Sequence, residues 1–242
     1  MEHLFLSSGA HPKMSNRYRY FDTKMFMGQM TEMDWQVTKI SAPKSKNNPH
    51  CKHSVRFRQT DKPLILNECH PEIQFINSSD GTSPVELEIG LFRLVCSNGL
   101  TVPDTSLKVS FRHGSVLDTV QLDELVHQFS EELPTVQRRI ELLKESIPTE
   151  RQKIEFINGV FDLRGLNYDS SELKNLLNPT RPEDANGDAW GLFNHIQETV
   201  MGGGFQYKTP KGRIRKAKPI KNFVKDIELN RAMWAKAEEV LV

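Results

Sequence analysis

Positive charge is concentrated near the C-terminus, where the segment from Lys208 to Lys225 contains eight Lys or Arg residues and no acid. These cations are Lys208, Lys211, Arg213, Arg215, Lys216, Lys218, Lys221 and Lys225. Phe205, Tyr207 and Phe223 lie beside or among them. Cations that contact phosphates, combined with rings on which bases stack, are typical of proteins that bind single-stranded nucleic acid. The alternative is a basic loop that contacts only solvent.

Four further cations occur in segments that alternate between apolar and polar residues. Arg56 and Arg58 share one face of "HSVRFRQ", and Lys108 and Arg112 share one face of "LKVSFRHG", because successive side chains of a strand point to opposite sides. We expect this face of a sheet to bind nucleic acid together with the C-terminal segment. The predicted binding residues are Arg56, Arg58, Lys108, Arg112, Tyr207, Lys208, Lys211, Arg213, Arg215, Lys216, Lys218 and Lys221.

Two short stretches bring together cysteine and histidine, the usual ligands of zinc. "HCKH" contains Cys51 and His53, and "ECH" ends with Cys69 and His70. Structural zinc sites usually space their ligands by two to four residues, whereas one residue separates Cys51 from His53. The pattern favours a polar loop and strand ends, and whether these four residues bind a metal stays open. No metal or other cofactor is predicted.

Catalytic chemistry has weak support. Cys96 and His113 could meet across neighbouring strands as a nucleophile and its base, but no carboxylate is evident to orient the histidine. Cys96 ends an apolar run and is more simply a small core residue. "GGGFQYK" lacks the spacing and the preceding strand of a nucleotide-binding loop. We therefore assign no catalytic residue.

The elements that must position these residues differ between the two halves of the chain. "FDTKMFMGQM" predicts a short helix capped by Asp22 or Thr23. Alternation in "DWQVTKIS", "HSVRFRQ", "PEIQFINS" and "LKVSFRHG" predicts strands. "ELEIGLFRLVCSNGLTV" predicts a buried strand that turns back at Asn98-Gly99, a strong hairpin signal.

The second half predicts helices. Apolar residues spaced four and three apart from Leu122 to Ile147 form a heptad seam, which predicts a long helix on the sheet or, alternatively, a coiled coil between subunits. Pro134 predicts a kink or two helices end to end. "PTERQKIEFINGVF" begins with a capping box from Thr149 to Gln152. "SSELKNLLN", "DAWGLFNHIQETV" and "DIELNRAMWAKAEEVL" predict three more helices.

This order of elements predicts an α+β fold, with an antiparallel sheet in the N-terminal half packed against a long helix and a helical C-terminal half. We expect a sheet region at 1–115 and a helical region at 116–242, which includes a basic arm at 205–225, in one compact unit.

Composition sets limits on this interpretation. The chain has 242 residues, 37% of them hydrophobic and 26% charged, and a formal net charge of +1, so it can bury a core while its total charge indicates no partner. "MEHLFLSSGAHPK" does not resemble a signal peptide, and no apolar run approaches the roughly 18 residues of a membrane span. Three cysteines do not form a disulfide framework. We expect a cytoplasmic protein without a membrane partner.

The motifs "HSVRFR", "EIQFINSSDGTSPVELEIGLFRLVCSNGLTV" and "VSFRHG" resemble, in this order, a family of phage- and plasmid-borne proteins usually described as a domain of unknown function. The resemblance runs from about Tyr18 to Gly114 and continues more loosely through "WGLFNHIQETV" and "LNRAMWAKA". Ser79 stands where the family often has histidine, so no role of that histidine can be assigned to this chain. The resemblance implies mobile-element biology and a bacterial cytoplasm but no activity, cofactor or catalytic residue.

The stretch "YFDTKMFMGQMTEMDWQVTKI" is similar to the opening helix and strand of the Rad-type strand-annealing proteins and their phage relatives, although no glycine precedes Trp35. That similarity implies a curved antiparallel sheet against a long helix and single strands bound in a basic groove, usually in a ring of subunits.

These observations together predict a non-enzymatic nucleic-acid-binding protein of phage or plasmid origin, with single-stranded DNA as the favoured partner and strand annealing in recombination as its role. A homo-oligomer is compatible with this prediction. One alternative is a protein-binding factor that acts against a host defence system through a host protein. A nuclease or Cys-dependent hydrolase is the third interpretation.

Overall fold

A computed structural model describes residues 9–42, 48–59, 69–93, 99–100, 108–111, 119–169 and 176–242. The chain divides into two units. The first comprises Met1–Val95 and Asp104–Leu133, and the second comprises Cys96–Pro103 and Pro134–Val242. An antiparallel sheet lies in the N-terminal half and most helices lie in the C-terminal half, which confirms the predicted α+β class. Among the described residues no helix is long and apolar enough to span a membrane.

The first unit begins with helix α1 (Thr23–Glu32), in agreement with the sequence prediction. The carboxylate of Asp22 accepts hydrogen bonds from the backbone N–H groups of Lys24 and Met25 at 2.8 and 3.2 Å. These contacts satisfy donors that have no partner within the helix. Asp22 is therefore the cap, rather than Thr23.

The predicted strands are confirmed within the described residues. They are β1 (Gln36–Ser41), β2 (His53–Arg58), β3 (Cys69–Asn77), β4 (Val85–Arg93), β5 (Gly99–Leu100) and β6 (Lys108–Phe111). In the first unit the antiparallel order is β1-β2-β3-β4-β6. The predicted turn residue Asn98, as well as Cys96 and His113, lie outside the described residues.

Helix α1 covers the apolar face of this sheet. The ring of Phe26 stacks on Phe75 of β3 with centroids 4.6 Å apart and contacts Phe57 of β2 edge-on at 5.7 Å. Both strand residues are fully buried. The alternation in β2 and β3 thus places apolar side chains where α1 can exclude water from them.

The second unit contains most of the helices. They are α2 (Thr119–Glu145, which continues from the first unit), α3 (Glu150–Leu163), α4 (Ala189–Gly202) and α5 (Phe223–Leu241), with a 3₁₀ turn at Pro182–Asp184. Pro134 lies inside α2, so the prediction of two helices end to end is wrong. The capping box from Thr149 to Gln152 is confirmed. Most of the helix predicted from "SSELKNLLN" lies outside the described residues.

An aromatic cluster holds α3, α4 and α5 together. Trp234 of α5 packs edge-on against Trp190 and Phe193 of α4, with centroids 6.2 and 5.6 Å apart. Phe156 of α3 lies 6.3 Å from Phe193. All four side chains are buried, so this contact provides a rigid base for the segment between α4 and α5.

That segment is the basic arm, and it is more ordered than a surface loop. Strands β7 (Gln206–Lys208) and β8 (Ile214–Lys216) form an antiparallel hairpin. Ala217 and Thr209 are buried, and Phe205 packs against Phe161 of α3 with centroids 5.4 Å apart. The hairpin is therefore anchored to the helices at its base.

Gly203, at the end of α4, allows the arm to pass close to the helix. Its backbone has φ 65° and ψ −156°, a region essentially restricted to glycine, and a Cβ atom there would lie 2.6 Å from the carbonyl carbon of Lys218. We expect Gly203→Ala to lower the free energy of unfolding by roughly 1–3 kcal/mol from backbone strain alone. Denaturant unfolding would measure this change.

Gly202→Ala is the matched control, because nothing lies within 4 Å of a Cβ at Gly202 and alanine is favoured over glycine in a helix. We expect this variant to be as stable as the wild type or slightly more stable. Equal stability of both variants would contradict the assigned role of Gly203.

Candidate nucleic-acid interface

The basic arm forms one side of a groove of about 560 Å³ in the second unit, which we call the basic groove. Its cationic lining residues are Arg164, Arg215, Lys216, Lys218, Lys221 and Lys225, and no Asp or Glu is among the described residues that line it. Tyr207 and Ile220 add an aromatic and an aliphatic surface. The groove thus combines charge for phosphates with flat apolar surface for sugars and bases.

The lining of the basic groove divides the cations of the arm into two groups. Tyr207 lies directly opposite Arg215, so both side chains point to the same side of the hairpin, and both line the basic groove. Lys208, Lys211 and Arg213 belong to the same arm but do not line the groove. The predicted binding segment therefore presents only part of its charge to one concave surface.

Arg164 is a groove residue that the sequence analysis missed. It follows α3 as its cap, and its Nη2 group donates a hydrogen bond to the backbone carbonyl of Lys218. Its guanidinium lies over the ring of Phe205, with Cζ 5.5 Å from the ring centre. Burial lowers the pKa of Arg164. Gly165, at φ 71°, marks the end of a helix, but no local pattern indicates that this arginine meets the arm.

The cations of the basic groove are not held in ion pairs by any described residue. Within the described part of the chain, none of its six cations forms a salt bridge. Helix α5 begins at the groove, where the side chain of Asn222 accepts hydrogen bonds from the N–H groups of Val224 and Lys225 at 2.9 and 3.3 Å. Asp226 lies in the same first turn and offsets the partial positive charge of the helix N-terminus, so the attraction for an anion comes from the side-chain cations.

The predicted cations of the sheet lie in a different environment in the first unit. Arg58 donates hydrogen bonds to Oε1 of Glu72 from Nε at 3.1 Å and from Nη2 at 2.7 Å. Nη1 of Arg56 lies 3.7 Å from Oε2 of the same carboxylate, and Thr38 donates a further hydrogen bond to Oε1 at 3.1 Å. Arg56 and Glu72 are buried at 8% and 5% exposure. We call these residues the Glu72 cluster.

The structure describes less of the other two predicted sheet cations, Lys108 and Arg112. Lys108 of β6 pairs in register with Glu88 of β4, and Arg112 lies outside the described residues. Binding of nucleic acid by this face stays a prediction. The structure assigns the charge of Arg56 and Arg58 to contacts with Glu72.

The cysteine and histidine residues that resemble zinc ligands lie at opposite ends of β3. His53 pairs in register with Asn77, whereas Cys69 and His70 begin the strand. Among the described residues no group of three or more His, Cys, Asp or Glu side chains is arranged to hold a metal.

His53 instead belongs to a buried hydrogen-bond network. Its Nδ1 lies 3.0 Å from the carbonyl oxygen of Cys51, to which it must donate, and its Nε2 lies 2.9 Å from Oγ1 of Thr23. Oγ1 of Thr23 also accepts from the amide of Asn77 at 2.9 Å, so its hydroxyl is free to donate to His53. Burial lowers the pKa of His53, which favours this neutral tautomer. The network connects α1 to β2 and β3.

Comparisons with known proteins identify the family but describe no activity. The family described as domain of unknown function DUF932 matches residues 10–234. UPF0380 protein YfjQ of Escherichia coli strain K12 is 26% identical over 242 residues, which cover 97% of this chain and 86% of that protein. UPF0380 protein YafZ of the same organism is 27% identical with the same coverage. No solved structure matches the chain significantly.

Proposed function

The chain belongs to the DUF932 family, and we propose that this member is a non-enzymatic protein that binds nucleic acid by its phosphate backbone in the basic groove. The observation that carries the proposal is the convergence of six cations on one concave surface whose described lining contains no acid. Such a surface is costly to assemble, because like charges repel one another, unless an anion occupies it.

The distribution of charge favours a polyanion over a single small anion. Lys208, Lys211 and Arg213 extend the positive surface along the same arm beyond the groove. A chain with one negative charge per nucleotide can contact several groove cations at once and release its counterions, which drives binding, and the outlying cations strengthen the field that attracts it. Tyr207 offers a ring on which a base can stack.

Strand annealing during recombination of a phage or plasmid is the narrower form of this proposal. It is supported by the antiparallel sheet of the first unit and by the similarity of "YFDTKMFMGQMTEMDWQVTKI" to the strand-annealing proteins. Charge in the basic groove does not by itself select single strands over duplexes, since both present phosphates.

A salt titration of DNA binding tests the proposal. We expect the logarithm of the binding constant to fall linearly with the logarithm of salt concentration, with a slope of roughly −4 on single strands if all six groove cations contact phosphates. Fluorescence anisotropy with a labelled oligonucleotide would measure the slope. A peptide nucleic acid of the same sequence is the control, because its backbone is uncharged, and it should not bind.

Absence of binding to single- and double-stranded DNA at low salt would contradict the proposal. Equal affinity for DNA and peptide nucleic acid would also contradict it, because phosphates would then contribute nothing.

A further inference from the structure

A second, smaller groove adjoins the basic groove in the same unit. It has a volume of about 330 Å³, and Arg164, Ile220 and Lys225 line both grooves. We call it the side groove. A strand whose phosphates contact the shared cations would therefore have the side groove within reach of its neighbouring sugar and base.

The side groove differs in chemistry from the basic groove. Its walls are aliphatic, with Leu163, Ile220, Leu229 and Ala232, and Glu228 supplies the one carboxylate of its described lining. Leu163 leaves 47% of its surface exposed although it is a large apolar residue. The flat, apolar face of a base would cover this aliphatic surface, while the shared cations Arg164 and Lys225 stay available to its phosphate.

We infer that the side groove binds one unpaired base of the strand held in the basic groove, and that Glu228 accepts a hydrogen bond from the exocyclic amino group of that base. This inference rests on the proposed function. Cytosine carries an amino donor at C4, whereas thymine carries a carbonyl acceptor there, which the carboxylate would repel. The site therefore favours cytosine over thymine, two bases of the same ring size.

The same geometry favours single strands over duplexes. A paired base is stacked between its neighbours and its amino group is already bonded, so it could enter the side groove only by flipping out, which requires unstacking and loss of its pairing. An unpaired base enters without that cost. The groove thus supplies the strand preference that the charge of the basic groove lacks.

The test compares oligocytidylate and oligothymidylate DNA of equal length at one salt concentration and mildly alkaline pH. We expect the wild type to bind oligocytidylate roughly 3- to 10-fold more tightly, the range of one ordinary net hydrogen bond, because Glu228 is exposed to solvent. Glu228→Gln should bring this ratio close to one, since an amide both donates and accepts. Removing a negative charge should also raise the affinity for both oligonucleotides by the same factor, and this general gain does not change the ratio between them.

Ala232→Phe provides a second, independent variant, because a larger side chain would fill the side groove. We expect it to lose the preference for single strands over duplexes while its salt slope stays that of the wild type. Circular dichroism would verify that both variants fold, and Glu228 is exposed, so Glu228→Gln should keep wild-type stability.

The outcomes separate this inference from the proposed function. Equal binding of both oligonucleotides by the wild type, with the expected salt slope, would overturn the inference and leave the proposed function standing. A cytosine preference that Glu228→Gln does not change would also overturn it. Absence of binding to either oligonucleotide would overturn both.

Discussion

Replacing Lys218, Lys221 and Lys225 together with alanine is expected to weaken binding to single-stranded DNA about 100-fold at a salt concentration of about 0.1 M. Each lost phosphate contact removes roughly 0.7 from the salt slope, so three contacts remove about two logarithmic units. All three side chains line the basic groove and are exposed. Their removal should therefore leave the unfolding midpoint almost unchanged.

The arm provides its own control for this prediction. Substitution of Lys208, Lys211 and Arg213 by alanine removes the same charge from the same arm but from positions that do not line the groove. We expect this control variant to lose only a few-fold in affinity, through the weaker long-range field. Anisotropy titrations of both variants at several salt concentrations would give affinity and slope together.

Equal losses in the two variants would show that total charge, and not the basic groove, determines binding. Unchanged affinity in the groove variant would assign any binding to the sheet face. The two variants thus distinguish a defined binding site in the basic groove from nonspecific attraction to a basic surface.

Glu72→Ala is expected to lower the free energy of unfolding of the first unit by roughly 3–5 kcal/mol. This is the usual cost of removing one partner from a buried ion pair, because the remaining charge stays buried without compensation. Arg56 and Arg58 have side-chain exposures of only 10% and 14% in their contacts with Glu72. Hydrogen exchange of β2 and β3 would report the change within this unit.

An exposed ion pair is the control for the Glu72 cluster. Glu239 contacts Nζ of Lys236 at 3.0 Å, but 67% of its side chain is exposed. Glu239→Gln should therefore lower the free energy of unfolding by at most about 1 kcal/mol. An equally small loss of unfolding free energy for Glu72→Ala would mean that solvent reaches Arg56 and Arg58.

The Glu72 cluster also gives a direct test of the predicted sheet-face site. If Arg56 and Arg58 contact phosphates, Glu72→Gln should strengthen DNA binding, because it removes a competing negative charge while it keeps the shape of the side chain. Unchanged binding in the folded fraction would indicate that these arginines stabilise the sheet and that the basic groove acts alone.

Features that depend on neighbouring residues can be predicted from the sequence. Alternation in "HSVRFRQ" and "PEIQFINS" identifies β2 and β3, because side chains of a strand point to opposite faces with a period of two. Asp22 and the pair Thr149 and Gln152 identify the starts of α1 and α3, because a cap contacts N–H groups two or three residues away. The excess of cations in the arm is likewise visible without a structure.

Which charges are available to a partner depends instead on how distant segments pack together. Arg56 and Arg58 look like exposed cations in the sequence, but their register beside Glu72 places them in a buried ion cluster. Arg164 has no basic neighbour in its own segment, yet the packing of α3 against the arm places it in the basic groove. Sequence periodicity specifies the face of an element but not what lies opposite that face.

Packing between distant segments also determines which cations of the arm line the basic groove, and it forms the side groove. Lys208 and Arg215 belong to one run of cations in the sequence, but Arg215 lines the groove and Lys208 does not. Leu163 and Glu228 are 65 residues apart in sequence (228 − 163) and become neighbours in the side groove only because α3 and α5 pack together. Such contacts depend on the burial of side chains from distant segments, which local sequence patterns do not encode.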